Sequence, residues 1–475
     1  MVFVAIPLAL VSLIGRSAGG AFLVGTAYGA AFFLVNVSFT ARYLGPVPWL
    51  ALSVLEAVLT GAAAILITWA YRWVPRALRG TWLRLIVLPL LVAGLWVLRE
   101  QWVGTFPYGG FPWGRVGVTQ VNGPFAPLLS WIGMSGVSFV VVLLCASAIE
   151  YVRARRFRDV RTIVPVVLVA GVALATPAFA TTAAGTLRIG SVQGNGPAGY
   201  FDQRSRGALL DAQLKATEAI ADDRMDLLVW PEGGIDSDPT ANRTTAATLD
   251  TLSNRIGAPL LVNAATARGD RYFNTSMLWE SGKGVVASYD KIHPVPFGEY
   301  VPDRPFFAAL APDLINLIQR EYTPGTAEPV VELGDTPIGL AICFDVIYDD
   351  VVWAASDGGA QVFVYQTNNA DFRGTDENLQ QLAFARARAI ETGRAVVNIS
   401  TVGTSQVIAP TGEVIDGIAA DTAGAMLTEV PLRTGTTAAM LVGPALHAVF
   451  AWGSLIVLLA VGVAARLRAP RRDRA

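Results

Sequence analysis

Asp226-Leu-Leu-Val-Trp-Pro-Glu-Gly-Gly234 decides the fold of the second half of the chain. Its unbroken apolar run reads as a buried strand, and Pro231 with the glycine pair ends it. Glu232 stands just past that end. The same grammar repeats outward. Leu187–Gln193 reads as another buried strand, with a helical pattern over Gln203–Asp223 between the two. Downstream come a helix over Arg243–Ile256 and strands over Leu260–Ala264, Ser276–Trp279, Val285–Tyr289, Ile338–Cys343 and Val362–Gln366. A long helix over Glu377–Thr392 and strands over Ala395–Ile399 and Ser405–Ile408 follow. Apolar strands alternating with helices indicate an α/β domain whose sheet is covered on at least one face. The strands between Phe273 and Tyr289 read as antiparallel pairs, so the sheet is expected to be mixed.

The rest of the chain has a different composition. Of 475 residues 53% are hydrophobic and only 15% charged, whereas a soluble protein carries about 25% charged residues. That deficit points to a membrane. The net charge of −1 balances 36 basic against 37 acidic groups, which gives no reason to expect nucleic acid. A spanning helix needs about 20 apolar residues. Candidate spans are Gly20–Thr40, Trp49–Trp69, a short one near Thr81–Leu98, Phe125–Ile149, Ile163–Ala180 and Leu441–Ala465; Met1–Ile14 is apolar but too short to cross upright. Glu56 falls within a span, where a carboxylate is costly unless it faces the bundle or water.

Arginine sets the expected orientation. Arg72, Arg76, Arg79 and Arg84 share one loop. Arg153, Arg155, Arg156, Arg158 and Arg161 share another, and Arg466, Arg468, Arg471, Arg472 and Arg474 fill the C-terminal tail. All three stretches are expected in the cytoplasm. The aromatic loop Gln101–Gly123 and the polar block then lie outside it. The boundaries expected are a helix bundle over 1–184, the polar block over 185–435, a last spanning helix over 436–465 and a basic cytoplasmic tail over 466–475. The same parity puts Met1 outside, so a preceding helix is expected to be absent from this chain. Native protein whose sequenced N-terminus is Met1 would refute that.

Glu232, Lys291 and Cys343 each stand at a strand end, where active groups collect in α/β sheets. Taken singly they are ordinary. A strand-end cysteine is more often a small buried hydrophobe, Glu232 could be a helix N-terminal acid and Lys291 a solvated loop cation. Together they form a chemistry. A thiol with pKa about 8.5 is only a few per cent thiolate at pH 7. A carboxylate can take its proton, and an ammonium can favour the thiolate and hold an oxyanion. With three lysines against 33 arginines, a lysine kept at such a place is informative. The two histidines, His293 and His447, leave little for a Cys–His machine, and no Cys or His cluster has metal-site spacing. The two cysteines, Cys145 and Cys343, are expected to be free thiols.

Trp230-Pro231-Glu232, Asp290-Lys291 and Ile342-Cys343, in that order, resemble the nitrilase superfamily. Four longer stretches resemble its apolipoprotein N-acyltransferase branch. These are Val192-Gln193-Gly194-Asn195, Trp230-Pro231-Glu232, Lys291-Ile-His-Pro-Val-Pro-Phe-Gly-Glu-Tyr-Val-Pro302 and Ala385-Arg-Ala-Arg-Ala-Ile-Glu-Thr-Gly-Arg394. The helices before and after the polar block fit that branch too. The resemblance implies a multi-pass α-helical membrane bundle plus an α/β nitrilase-like αββα sandwich. It implies a fatty acyl chain moved from a membrane phospholipid to the N-terminal amine of diacylglyceryl-cysteine in an apolipoprotein. Glu232 would be the general base, Lys291 the oxyanion stabiliser, Cys343 the acyl-carrying nucleophile, and Glu299 a group that positions Lys291 or a substrate proton. Phe344-Asp345 replaces the usual Tyr-Glu, Asn368-Asn369-Ala370-Asp371-Phe372-Arg373 replaces Asn-Asp-Ala-Trp-Phe-Gly, and Gln381 stands where a histidine is usual. Phe344 and Asp345 therefore count as supporting residues that bear on the acceptor.

Lipid substrates require lipid contacts. Trp113, in the aromatic loop, and Phe306 and Phe307, in the apolar arm Pro305–Ile318, are the lipid-facing candidates, the arm being read as a mobile flap. No cofactor or metal is called for, since thioester to amide runs downhill. A monomer in the bacterial plasma membrane is expected. Two rivals remain: a membrane-tethered amidohydrolase that gives the acyl group to water, and an inactive scaffold for envelope lipoproteins.

Overall fold

The structure, a computed structural model, describes residues 1–154 and 160–468, without the side chains of residues 161 and 162. Arg155, Arg156, Arg158, Arg471, Arg472 and Arg474, and the side chain of Arg161, lie outside the described residues. The chain divides into two compact units: Met1–Ala41, Gly45–Phe179 and Ala438–Ala475 form one, and Arg42–Leu44 with Ala180–Thr437 form the other.

The first unit is helical. Five of its helical spans are long and apolar enough to cross a membrane: Ala18–Asn36, Pro46–Ala77, Thr81–Val103, Ala126–Ala154 and Ala438–Leu467. The stretch expected as a span over Ile163–Ala180 forms a 16-residue helix, Val160–Ala175. Pro177 explains the early stop, since a proline disfavours the helical conformation of the residue before it. The following backbone is not left bare: Pro177 O accepts the Trp131 Nε1–H at 2.7 Å and Phe179 N donates to Ser130 Oγ at 2.8 Å. Met1–Ile14 holds a 12-residue helix, Val2–Leu13.

Small residues let these helices close on each other. A Cβ on Gly25 would run into Ala64 Cβ, and one on Gly61 into Thr26 Oγ1, so glycine spacing sets the approach of Ala18–Asn36 to Pro46–Ala77. Glu56 is buried and lies 3.6 Å from the Arg99 guanidinium, which also donates to Thr60 Oγ1 at 3.0 Å. It is therefore a bundle-facing partner of a buried cation. Trp113 departs from its expected place. It is only 6% exposed, stacked on Phe111 and tilted against Phe39. Its aromatic neighbours enclose the ring, so it offers no face to lipid.

The second unit contains twelve strands in two six-stranded sheets. These are β1 (Thr182–Gln193), β2 (Leu227–Val229), β3 (Leu260–Arg268), β4 (Arg271–Glu280), β5 (Gly284–Asp290) and β6 (Val330–Leu333). They continue as β7 (Thr336–Ile342), β8 (Val362–Thr367), β9 (Val396–Ser400), β10 (Ser405–Ile408), β11 (Val414–Ile418) and β12 (Gly424–Thr434). The sheet orders are β12-β1-β2-β3-β4-β5 and β11-β10-β9-β8-β7-β6. Each has a parallel centre, β1-β2-β3 and β7-β8-β9, with antiparallel strands outside it. The mixed sheet expected from the sequence is thus two mixed sheets.

Period-two alternation builds the layers. Leu227 and Val229 join Ile338, Leu340, Ile342, Val362, Val364 and Val397 in the core between the sheets. Leu228 and Trp230 face the other way, against Leu249, Leu252 and Ile256 of helix Arg243–Ile256. Helices Glu377–Thr392 and Asp349–Asp357 pack on β9 and β7. The result is an αββα sandwich. Polar pins join the two sheets near the strand ends: Gln366 Nε2 on β8 donates to Trp230 O at 2.6 Å, and Ser405 Oγ on β10 donates to Gln193 Oε1 at 2.5 Å.

Candidate active site

The end of β2 delivers Glu232 through a turn in which Gly233 has φ +61, open to glycine at no cost. Gly233 N donates to Asn263 Oδ1 at 2.8 Å, and Asn263 Nδ2 donates to Asn274 Oδ1 at 2.9 Å. That leaves the amide of Asn274 on β4 with only its donor end free. Nδ2 bonds Glu232 Oε1 at 2.7 Å and Glu299 Oε1 at 3.1 Å. Lys291, one residue past β5, lies between the same carboxylates, with Nζ 2.8 Å from Glu299 Oε2 and 3.4 Å from Glu232 Oε1. Val295 N also donates to Glu299 Oε2, at 2.7 Å. The sequence alone does not single out Asn274. Its one signal is being an asparagine inside a strand, where that residue is depleted.

Cys343 follows β7 at φ +49, a left-handed conformation that costs free energy in a non-glycine residue and is common at functional sites. Asp345 holds that turn. Its carboxylate accepts Ile342 N at 3.1 Å, Tyr289 OH at 2.8 Å and His293 N at 2.9 Å. One buried acid thus ties the Cys343 turn to the strand and loop that carry Lys291. From helix Glu377–Thr392, Arg388 Nε donates to Val346 O at 2.9 Å and its Nη1 to Asp349 at 2.8 Å, bracing the far side of the same turn. Phe344 is buried edge-on to Tyr348. His293 stacks on Tyr348 and faces Asp350 Oδ2 at 2.9 Å.

Electrostatics suit a thiol that must be activated. Cys343 is partly exposed, and its thiol lies close enough to the Glu232 carboxylate for each to act on the other's proton affinity. Burial, and then the Glu232 charge, push its pKa well up, with the Lys291 ammonium opposing them. Burial also raises Glu232 above the usual carboxylate range, against the pull of Lys291. Burial disfavours the charge on Lys291, but Glu232 and Glu299 outweigh it and hold the ammonium well above its ordinary value. The resting site therefore has a neutral thiol, a proton acceptor of raised affinity beside it, and a permanent cation. That combination provides base, nucleophile and oxyanion donor.

Behind the sulfur lies a second polar group. Gln381 Nε2 donates to Cys343 Sγ at 3.3 Å, and Asn369 Nδ2 donates to Gln381 Oε1 and to Glu377 Oε2, both at 2.8 Å. Glu377 is not marked by the sequence either, because an acid in the first turn of a helix reads as a dipole partner. Burial pushes its carboxyl up to about 8 from 4.5. A raised folded pKa means stability that is fully present below the unfolded pKa and is lost as pH rises toward 8. Glu377→Gln mimics the neutral form. It is expected to match wild type near pH 4.5 and to exceed it by about 3–5 kcal/mol at pH 8, read as the thermal midpoint of detergent-solubilised protein across that range. A difference that does not vary with pH would contradict the assignment.

The arm after Glu299 forms helices Arg304–Leu310 and Pro312–Ile315. Phe307 packs with Val301, Ile315, Ile318, Phe297 and Leu44, whereas Phe306 is 64% exposed. The two phenylalanines thus differ: Phe307 anchors the arm and Phe306 projects from it.

The carbon–nitrogen hydrolase family profile matches residues 188–439, and the apolipoprotein N-acyltransferase N-terminal domain profile matches residues 1–147. An apolipoprotein N-acyltransferase of Mycolicibacterium smegmatis is 33% identical, over 93% of this chain and 77% of its own. One from Pseudomonas putida is 29% identical, over 82% and 76%. Among solved structures, an amidase from Nesterenkonia sp. aligns with 53% of this chain and 92% of its own, at 20% identity and a TM-score of 0.40. With both profiles in order along the sequence and a relative one-third identical across nearly all of it, the chain belongs to the apolipoprotein N-acyltransferase family, its polar half being a carbon–nitrogen hydrolase domain.

Proposed function

We propose that this acyltransferase moves a fatty acyl chain from a membrane phospholipid, through a thioester on Cys343, to the N-terminal amine of diacylglyceryl-cysteine in apolipoproteins. The observation that carries the reading is the convergence of Glu232, Lys291, Glu299 and Asn274 beside a partly exposed Cys343.

Glu232 takes the thiol proton and Sγ attacks the ester carbonyl carbon. The oxyanion of the tetrahedral intermediate forms beside Lys291 Nζ. Its collapse breaks the ester C–O bond, Glu232 returns the proton to the departing oxygen, and lysophospholipid leaves. In the second half the acceptor amine attacks the thioester carbonyl and gives a proton to Glu232. The C–S bond breaks, an amide forms, and the thiolate regains the proton. Glu299 and Asn274 keep Lys291 and Glu232 in register throughout.

The same proposal puts the catalytic domain outside the cytoplasm and the C-terminus inside, with functional boundaries at 184/185, 435/436 and 465/466. Arginine parity supports it. On this reading the 16-residue apolar helix Val160–Ala175, continued by an extended stretch in which Pro177 O and Phe179 N are held by Trp131 and Ser130, is the remaining crossing. Phe306 serves as the lipid contact of the arm.

The test is mass spectrometry of lipoprotein N-termini from cells with the gene, without it, and with a Phe306→Asp copy. Expected are N-acylated cysteines with the gene, free amines without it, and a several-fold shortfall with Phe306→Asp. N-termini acylated equally in its absence would sink the transferase reading.

A further inference from the structure

The polar network behind the sulfur has a direction. Ser400 Oγ accepts the Gly403 N–H at 2.9 Å and spends its single proton on Asn369 Oδ1 at 2.6 Å. That makes Oδ1 the acceptor end of Asn369 and turns Nδ2 toward Glu377 Oε2 and Gln381 Oε1. With its oxygen taken, Gln381 can present only Nε2 to Cys343 Sγ. In this orientation the amides of Asn369 and Gln381 both find complementary partners, which is how amide ends are assigned. Asn369 is 4% exposed, Gln381 2% and Ser400 0%, so water offers no competing partner.

We propose that Gln381 is a further catalytic residue: a fixed N–H donor, aimed by Asn369, that stabilises the Cys343 sulfur anion when the thiolate forms and again when it leaves the acyl group. The proposal rests on Cys343 being the nucleophile. It gives the sulfur a donor separate from the Lys291 ammonium, which is committed to two carboxylates and to the carbonyl oxygen. An amide N–H differs from an imidazole in one respect that matters here. It cannot accept the thiol proton, so it leaves Glu232 as the sole base and cannot trap the sulfur in an ion pair. A weak donor suits an atom that must be anionic twice per turnover yet bonded to carbon in between.

The experiment is the pH profile of Cys343 alkylation by iodoacetamide in full-length, detergent-solubilised protein. A Cys145→Ala background leaves Cys343 as the only thiol. Glu232, Lys291 and Glu377 also act on this thiol, so the displacement between variants is the readout. Gln381→Met keeps the shape and removes the donor. It is expected to slow alkylation at neutral pH about tenfold and move the profile to higher pH. Gln381→Glu keeps the shape and reverses the polarity; it should move the profile further, and decides the matter if Gln381→Met does not fold. Gln381→His, which carries an N–H, should recover part of the rate. Folded Gln381→Met and Gln381→Glu proteins with the wild-type profile would overturn the proposal. The readout does not need turnover. A Gln381-dependent profile in a protein that forms no acyl-enzyme would sustain this inference and sink the thioester mechanism.

Discussion

Cys343→Ala is expected to lower acyl transfer by about four orders of magnitude or more and to leave no acyl chain on the protein. Removing a nucleophile that works with a base as one unit costs nearly as much as removing the whole unit. What remains is substrate binding and the Lys291 cation. The fold should survive. The side chain is small and partly exposed. Alanine has the same difficulty as cysteine at φ +49, and the turn is held by Asp345 and Arg388 rather than by sulfur. Equal thermal midpoints with lost activity therefore separate chemistry from folding. Cys343→Ser sharpens the point. A hydroxyl gives up its proton far less readily than a thiol, and the raised affinity of Glu232 does not bridge that gap. A radiolabelled phospholipid should leave a hydroxylamine-sensitive label on wild type and none on either variant. Label persisting on Cys343→Ala would move the thioester elsewhere and end the assignment.

How much of this site is legible in the sequence depends on the kind of signal each residue gives. Glu232, Lys291 and Cys343 follow apolar runs, so strand ends mark them in the chain itself. Helix Arg243–Ile256 and, roughly, helix Glu377–Thr392 are legible, and the structure ends them at local signals: Asn242 accepts at one N-terminus and Gly257 and Gly393 close the C-termini at positive φ. Strand β12 carries a period-two signal, with Met426, Thr428, Val430 and Leu432 buried in alternation, but β6 and β11 are not legible in the same way. β11 is an exposed edge with little apolar alternation, and β6 is four residues long; their partners, not their own residues, make them strands. The helix expected over Gln203–Asp223 shrinks to Ala208–Thr217; Gly207, left-handed at φ +91, breaks the helical path at its start, and residues 218–222 continue as turns.

The second layer of the site is hidden for a different reason. Asn263, Asn274, Asn369 and Gln381 are amides from β3, β4, the β8 loop and a helix; Asn369 and Gln381 stand out only as departures from a family pattern and Asn274 only as an asparagine within a strand, which does not give any of them a partner. Only burial makes their hydrogen bonds compulsory and their direction unique. Asp345 reads in sequence as a source of substrate variation. Its three buried bonds add a role in holding the Cys343 turn. Trp113 has the composition of an interfacial residue around it, yet its neighbours enclose it. Sequence gives residue type, and exposure is a tertiary property.

Lys291→Met is expected to have the widest reach of any single change. Lys291 is 1% exposed and neutralises two carboxylates bridged by one asparagine. Without it, Glu232 and Glu299 confront each other through Asn274 with no cation between them, and one must hold a proton. If Glu232 holds it, the base is gone; if Glu299 does, the positioning of Glu232 changes. The oxyanion also loses its donor, a loss of about 100- to 1000-fold by itself. The combined defect should exceed that range. Stability should fall by about 3–5 kcal/mol, the cost of an unpaired buried charge. The sign of its pH dependence follows from the carboxyl pair. Burial already raises the Glu232 pKa and the lost cation raises it further above the unfolded value, so the variant is nearest to wild type in acid and loses ground as pH climbs. Lys291→Arg separates the two roles. It keeps a cation between the carboxylates and should recover much of the stability. A planar fork cannot place its charge where the compact ammonium stands, so single-turnover acylation of Cys343 should stay depressed at least about 100-fold. Thermal unfolding from pH 5 to 8 alongside single-turnover kinetics checks both arms. Full activity in Lys291→Arg would show that any cation suffices, and would reduce Lys291 from oxyanion donor to counterion.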